Sequence, residues 1–426
     1  MSATPDAGTR APGRPGATGA SDPGTAPGSS GAELAPVSQD VPAERAQHGR
    51  EVSAGTHFGA LDGYRAIAAL MVVVTHLATA TDTVDGPLGR VMGRFDFGVP
   101  LFFLMSGFLL YRPWARAAIE GRTRPQLGRY ALRRAARILP LYWVVVVTTL
   151  LVLPEVRPVS AETWWRHLLA VQIYAPPGAV EGLAQTWSLC TEIAFYVALP
   201  LIGALALGRR RSSPDAAYRR QLVVLGALAL VALVWNLLAT LTSALSPLAG
   251  LWLPGFLDWF AAGMLLAVLE VRGRLPCPPR LVRVGEGLGR DHVTSLVIGV
   301  AAFLVVSTPL GGTYLFTPNT AWQSLSKHLL YMVAAFFLLL PGVLGRPSRW
   351  TQTLSSRVPR LTGLISYGIF LWHLLFLRLL LAWLDIPVFT GHMLLLAVLL
   401  LPATLVVAAV TYRWVERPAQ RWAHRV

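Results

Sequence analysis

Charged residues, lysine and cysteine are all scarce in this chain. Only 14% of its 426 residues are charged, whereas a soluble protein has about 25%. Lys327 is the only lysine, which argues against Schiff-base chemistry and against a lysine nucleophile. Cys190 and Cys277 lie on different segments and give neither a disulfide framework nor the spacing of a metal site. We therefore expect no metal ion and no bound cofactor.

Apolar residues are abundant instead, and they occur in long blocks. They make up 54% of the chain, in blocks of about 20 residues with arginine-rich breaks between them, which is typical of a polytopic membrane protein. We predict an all-α fold with about ten transmembrane helices, at roughly 64–80, 97–113, 138–154, 187–207, 221–243, 255–271, 293–309, 326–344, 362–384 and 392–412.

The regions outside these blocks complete the predicted domain organisation. Residues 1–55 are rich in Gly, Pro, Ala, Ser and Thr, so they cannot bury enough apolar surface to order themselves and are predicted to be a disordered tail. Residues 56–420 form the predicted membrane domain, and residues 421–426 form a C-terminal end.

The distribution of arginine predicts the orientation in the membrane. Arginine is dense in alternate connections, at 112–137, 209–220, 272–290, 346–360 and 413–425, and sparse in the others. The positive-inside rule therefore places both termini in the cytoplasm. The net charge of +15 follows the loops rather than one basic face, so we expect a lipid bilayer as partner, in the cell membrane, and no nucleic acid.

Two ionisable residues fall inside the first apolar block. Arg65 and His76 are eleven positions apart, which is three helical turns with about 20° left over, so they share one face at a separation of about 16 Å. An ionisable pair in a membrane helix marks a functional site by default. We expect both side chains to face one polar cavity, and the alternative for His76 is a hydrogen bond between packed helices.

Other ionisable residues occupy the middle and outer depths of later spans. Glu192 or Asp258 would suit His76 as a partner for activating a hydroxyl group towards an acyl group. His373 either lines the same site or packs between helices. Arg378 is either a buried counter-ion or reaches outwards to the interface.

A cluster of arginines precedes the third span. Arg134 and Arg137 are one turn apart, and Arg133 lies four residues before Arg137. Guanidinium groups suit bidentate binding of phosphate. The alternative is anchoring at the cytoplasmic face of the membrane.

An ordered set of motifs runs through the membrane region. They are Leu-Asp-Gly-Tyr-Arg at 61–65 with His76, Phe-Phe-Leu-Met-Ser-Gly-Phe-Leu-Leu at 102–110, Arg-Ala-Ala-Arg at 134–137, Thr-Trp-Ser-Leu-Cys-Thr-Glu-Ile-Ala-Phe-Tyr at 186–196, Ile-Ser-Tyr-Gly-Ile-Phe-Leu-Trp-His at 365–373 and Glu-Arg-Pro at 416–418. In this order they resemble the motifs of the acyltransferase-3 family of integral membrane acyltransferases. Each motif is short, but together they cover nearly the whole membrane region. Many members have paired acidic residues in the fourth-span motif, and this chain has only Glu192 there.

The resemblance implies a function and a set of roles. The function is transfer of an acyl group, usually acetyl, from acyl-CoA to a hydroxyl of a carbohydrate or glycosylated acceptor, such as a cell-surface polysaccharide. The coenzyme A phosphates are then expected near Arg65, Arg134 and Arg137, His76 is a general base or a transient acyl carrier, and Glu192 supports the acceptor. The candidate residues that line the site are Asp62, Ser106, Asp258, His373 and Arg378.

Three other functions stay open at this stage. The acceptor of the same enzyme could be a small glycosylated metabolite such as a macrolide. In a different class, the intramembrane charges could line the path of a transporter or flippase for a lipid-linked sugar, or the chain could be a membrane sensor or scaffold. Binding of acetyl-CoA with release of free coenzyme A would separate the enzyme from both non-enzymes.

Overall fold

The computed structural model describes residues 58–208, 212–242, 245–313 and 319–425. In these ranges all regular structure is helical and no strand occurs, which confirms the all-α fold. The predicted disordered tail, 1–55, lies outside the described residues.

Fifteen α-helices are numbered here in chain order. They are α1 Gly59–Ala80, α2 Gly86–Gly93, α3 Gly98–Ile119, α4 Leu127–Val152, α5 Ala161–Leu168, α6 Trp187–Leu207, α7 Pro214–Leu241, α8 Leu257–Gly273, α9 Arg280–Arg290, α10 His292–Val306, α11 Ala321–Leu344, α12 Arg349–Leu354, α13 Arg357–Trp383, α14 Met393–Thr411 and α15 Arg417–Arg425. A π-helical stretch, Tyr412–Glu416, joins α14 to α15.

The predicted spans each correspond to a helix. In the described part of the chain nine helical stretches are long and apolar enough to cross a membrane. The pair α9 and α10, bent by 90°, gives a tenth if it counts as one span. The sequence and the structure therefore agree on a multi-pass membrane protein.

Several helices begin earlier than their apolar blocks do. Helix α4 begins at Leu127 and α7 at Pro214, ahead of the predicted 138 and 221. The reason is that the backbone hydrogen-bond ladder continues through polar side chains, while a hydropathy pattern records only the lipid-facing part. At the start of α7 the Ser213 hydroxyl caps the helix by accepting the Ala216 N–H at 3.3 Å.

Small residues allow the central helices to approach closely. A Cβ atom at Gly107 of α3 would overlap the Phe260 carbonyl of α8, and one at Gly263 of α8 would overlap the Leu104 carbonyl of α3. Such contacts drive helix association in lipid, where apolar burial contributes little. Phe260 also stacks on Phe103, with ring centroids 4.5 Å apart. Helices α3 and α8 thus form the middle of the bundle.

Close backbone contacts at glycines also hold helix α1 between α3 and α13. A Cβ at Gly98 of α3 would overlap the Ala68 carbonyl of α1, and a Cβ at Gly363 of α13 would overlap the Asp62 carbonyl of α1. Close backbone approach on both sides fixes the rotation of α1. It therefore decides which neighbours Arg65 and His76 meet.

Candidate active site

A central cavity lies among helices α1, α3, α4, α6 and α13. Its volume, counted together with the solvent at its open mouth, is about 820 Å³. Its charged and hydroxylated lining residues are Arg65, Ser106, Arg134, Arg137, Ser188, Glu192, Tyr196, Ser366 and Tyr367. Five residues that the sequence singles out therefore meet in one cavity: Arg65, Arg134, Arg137, Glu192 and Ser106.

The three arginines of the cavity differ in their counter-ions. Arg65 pairs with Asp62 at 2.9 Å, one turn earlier on α1. Arg137 lies 3.7 Å from Glu416, which is only 1% exposed. Arg134 forms no ion pair within the described ranges. The cavity therefore presents more positive than negative charge, and Arg134 is the guanidinium best placed to take an anionic ligand.

Glu192 is held by hydroxyl groups rather than by a cation. The Ser106 hydroxyl of α3 and the Tyr196 hydroxyl of α6 both donate to its Oε1, the latter at 2.7 Å. Tyr196 lies four residues after Glu192 on the same helix face. The backbone carbonyl of Tyr196 accepts a hydrogen bond from the Tyr130 hydroxyl of α4 at 3.0 Å. This network joins three helices and fixes the carboxylate at the cavity wall.

His76 lies directly beside His373. The Nδ1 of His76 is 3.3 Å from the Nε2 of His373 and 2.8 Å from the Val72 carbonyl oxygen. The Nδ1 of His373 is 2.7 Å from the Phe370 carbonyl oxygen. His373 is completely buried, whereas His76 is partly exposed. His373 therefore packs between helices, as one of its two interpretations expects, with its ring against the candidate catalytic histidine.

The cavity ends short of the two histidines. Arg65 lines it, but His76 and His373 do not. Phe102 of α3 and Phe370 of α13 line its wall and pair edge-to-face with centroids 6.2 Å apart, and the Phe370 ring is 6.2 Å from the His373 ring. Arg65 thus lines the cavity and His76 does not, while the wall residue Phe370 lies next to the His373 ring; that Arg65 and His76 face one shared site stays a prediction.

Asp258 does not partner His76. Both of its carboxylate oxygens contact the Nε2 of His328, at 2.9 and 2.8 Å, and Trp259 stacks on the His328 ring with centroids 4.5 Å apart. Asp258 is also absent from the lining of the central cavity. The expectation that it lines the site with His76 is wrong, because α11 supplies a nearer histidine.

Arg378 is likewise absent from the lining of the central cavity. Its guanidinium pairs with Glu181 and, at 3.8 Å, with Glu155. Both carboxylates belong to the segment between α4 and α6, which explains how an arginine is accommodated near the end of α13. Its role as a lining residue of the site is not supported by this position.

The family of the chain can now be stated from comparison with known proteins. Residues 58–413 match the family model described as an acyltransferase domain. The chain belongs to the acyltransferase-3 family. This match covers the whole membrane region that the helices α1 to α14 form, and it confirms the resemblance carried by the sequence motifs.

Curated relatives of this acyltransferase-family chain include two O-acetyltransferases by name. The peptidoglycan O-acetyltransferase OatA of Listeria monocytogenes is 25% identical over 398 residues, which cover 85% of this chain and 55% of the relative. The O-acetyltransferase OatA of Staphylococcus aureus is 25% identical over 383 residues, covering 85% and 57%. Acyltransferase MdmB of Streptomyces mycarofaciens is 30% identical over 153 residues, covering 33% and 38%. The chain thus spans little more than half the length of the first two, and no solved structure matches it.

Two residues of the candidate site, Tyr196 and Glu416, were missed by the sequence reasoning. Tyr196 has a detectable signal, namely its spacing of four from Glu192 on one helix. Glu416 has a weaker one, its place in the Glu-Arg-Pro motif. It ends the π-helical stretch Tyr412–Glu416, and such irregular turns are frequent at functional sites. In the described part of the chain no group of three metal-binding side chains is present.

Proposed function

We propose that this protein is a membrane O-acyltransferase that moves an acyl group, in particular acetyl, from acyl-CoA to a hydroxyl of a carbohydrate or glycosylated acceptor. The family membership supports acyl transfer, the names of two relatives support O-acetylation, and one of these names, that of a peptidoglycan O-acetyltransferase, supports a cell-wall polymer as acceptor. The observation that carries the donor assignment is the cavity with three arginines, of which Arg134 forms no ion pair in the described chain.

The donor would bind through its phosphates. Coenzyme A is polyanionic, and guanidinium groups bind phosphate with two parallel hydrogen bonds. Arg134 and Arg137 are one helical turn apart on α4, and Arg65 of α1 lines the same cavity. With the phosphates on these arginines, the flexible pantetheine arm runs past Ser106 and Glu192 towards the aromatic pair. The Phe102 and Phe370 rings then rotate to admit the thioester.

The chemical step would use His76 as general base. Its imidazole removes the proton of the acceptor hydroxyl, the hydroxyl oxygen attacks the thioester carbonyl carbon, and the carbon–sulfur bond breaks. The proton on His76 then passes to the departing thiolate, so that the products are the ester and free coenzyme A. Histidine is the side chain best suited to accept a proton near neutral pH, and a general base contributes about 100- to 10,000-fold to the rate.

The donor assignment is tested with two thioesters. Acetyl-CoA carries phosphates and acetyl-pantetheine does not. Arg134→Gln should therefore raise the KM for acetyl-CoA and leave the KM for acetyl-pantetheine unchanged. A hydrogen bond to a charged group contributes about 1.5–3 kcal/mol, which corresponds to about 10- to 100-fold in KM. Arg129→Gln is the matched control, because Arg129 lies on the same helix, is exposed and does not line the cavity.

The assay uses purified protein in nanodiscs with oligomers of N-acetylglucosamine as the probe acceptor. Free thiol release and the mass of the acetylated oligomer are both recorded. His76→Ala should abolish both signals. Equal KM values for Arg134→Gln and Arg129→Gln would overturn the phosphate site, and full activity of His76→Ala would overturn the chemical step.

A further inference from the structure

The hydrogen bonds of His373 determine which of its ring nitrogens carries the proton. Its Nδ1 lies 2.7 Å from the Phe370 carbonyl oxygen and 3.2 Å from that of Ile369. Carbonyl oxygens only accept hydrogen bonds, so Nδ1 must donate. In the neutral ring the Nε2 is then an acceptor. That acceptor points at the Nδ1 of His76, 3.3 Å away.

The hydrogen-bond partners of His76 likewise determine which of its ring nitrogens carries the proton. Its Nδ1 faces two acceptors, the Val72 carbonyl oxygen at 2.8 Å and the His373 Nε2 at 3.3 Å. It must therefore donate, and the proton of neutral His76 sits on Nδ1. The lone pair of the Nε2 is left for a substrate. The other tautomer would set the lone pair of Nδ1 against two acceptors.

We propose that His373 is a positioning residue, which holds His76 in the tautomer and orientation that acyl transfer requires. The inference rests on the proposed function for its catalytic consequence. When His76 takes the acceptor proton on Nε2, it becomes an imidazolium whose Nδ1–H stays bonded to Val72 O and His373 Nε2. A histidine base is commonly oriented by a group on its far nitrogen, and here that group is a second, neutral imidazole.

Burial supports this role over simple packing. His373 is 0% exposed and lies among apolar residues such as Leu374 and Leu375 of α13. A buried polar ring costs free energy unless its hydrogen bonds are made. An aliphatic side chain would fill the same place on α13 without that cost. The imidazole is instead satisfied at both nitrogens, one by its own helix and one by His76.

The kinetic test compares two substitutions of His373. His373→Leu removes the acceptor, whereas His373→Gln places an amide oxygen at a similar distance along the side chain. We expect His373→Leu to lower kcat by about 10- to 100-fold with the KM for acetyl-CoA unchanged, and His373→Gln to recover most of the loss. His328→Leu is the matched control, because it removes a half-buried histidine that contacts Asp258 and not His76. Thermal unfolding of each variant checks that it is folded.

The second measurement does not depend on activity. In protein labelled with ¹⁵N-histidine, the chemical shifts of Nδ1 and Nε2 report which nitrogen is protonated, and the spectrum of His76→Gln assigns the His76 signals. The His76 proton should sit on Nδ1 in the native protein, and His373→Leu, which leaves the Val72 carbonyl as the one remaining acceptor for that proton among the two described above, should raise the share of the other tautomer. An unchanged His76 tautomer in folded His373→Leu overturns the proposal, as does a His373→Gln variant no more active than His373→Leu. If the native protein shows the expected tautomer but transfers no acyl group, the proposed function fails while the placement of the proton stands.

Discussion

Removing the positive charge of Arg137 should destabilise the protein through Glu416. The carboxylate is 1% exposed, and among the described residues neither of its oxygens has a hydrogen-bond partner and its ion pair is the one with Arg137 at 3.7 Å. Breaking a buried pair from one side leaves an uncompensated charge and costs about 3–5 kcal/mol. Arg137→Gln should therefore lose stability of that order, less if the carboxylate takes up a proton.

A second substitution separates stability from binding. In the double variant Arg137→Gln/Glu416→Gln the buried charge is gone, so most of the lost stability should return. The KM for acetyl-CoA should stay raised, because the guanidinium that the proposed function assigns to donor phosphate is still missing. The matched single variant Glu416→Gln should keep a KM near that of the native protein, since it retains all three arginines.

The assay is unfolding in detergent, by denaturant titration for the free energy and by thermal melting for comparison between variants. Donor KM is measured on the same preparations. The reasoning fails if Arg137→Gln is as stable as the native protein, or if Glu416→Gln does not improve the stability of Arg137→Gln. It also fails if the double variant recovers the native KM.

Two further predictions concern packing and pH. Gly263→Ala should destabilise the fold by about 1–3 kcal/mol, because its new methyl group would overlap the Leu104 backbone. The control Gly226→Ala has open space around it and should be neutral or slightly stabilising. Equal melting temperatures of the two variants would contradict this prediction. Burial lowers the pKa of His167, whose Nε2 accepts the Val180 N–H at 3.3 Å. In the unfolded segment the His167 imidazole is protonated below about pH 6.5. The stability that neutral His167 contributes is therefore complete above that pH and declines as the pH falls towards the lowered pKa of the folded state. Hydrogen exchange at the Val180 amide should therefore be faster at pH 5 than at pH 7.5, after correction for intrinsic rates, and equal protection would refute the role of His167.

Much of the architecture could be predicted because each helix follows from a local run of apolar residues in the sequence. Each predicted span corresponds to a helix, and α6 has the predicted bounds, Trp187–Leu207. The convergence of Arg65, Arg134 and Glu192 on one cavity follows from family motifs that place one residue on each of three helices. Such motifs specify the type of each side chain and its depth in the membrane, and both are properties of a single helix.

What could not be predicted is which helices lie side by side. His76 and His373 are 297 positions apart, and nothing in the period of either helix specifies their contact. Asp258 has a suitable depth for His76 but faces His328 instead. These neighbours are decided by glycine contacts such as that between Gly363 and the backbone of α1, which a hydropathy pattern does not record.

The aromatic pair Phe102 and Phe370 also has an electrical consequence. Under the proposed function the cavity admits an anionic donor, and with it water, as far as these rings, so the membrane voltage would fall across the thinner apolar layer that begins there. A proton that crossed this layer on its way to or from His76 would do electrical work of up to about 2.3 kcal/mol per 100 mV, and turnover would then depend on the membrane voltage.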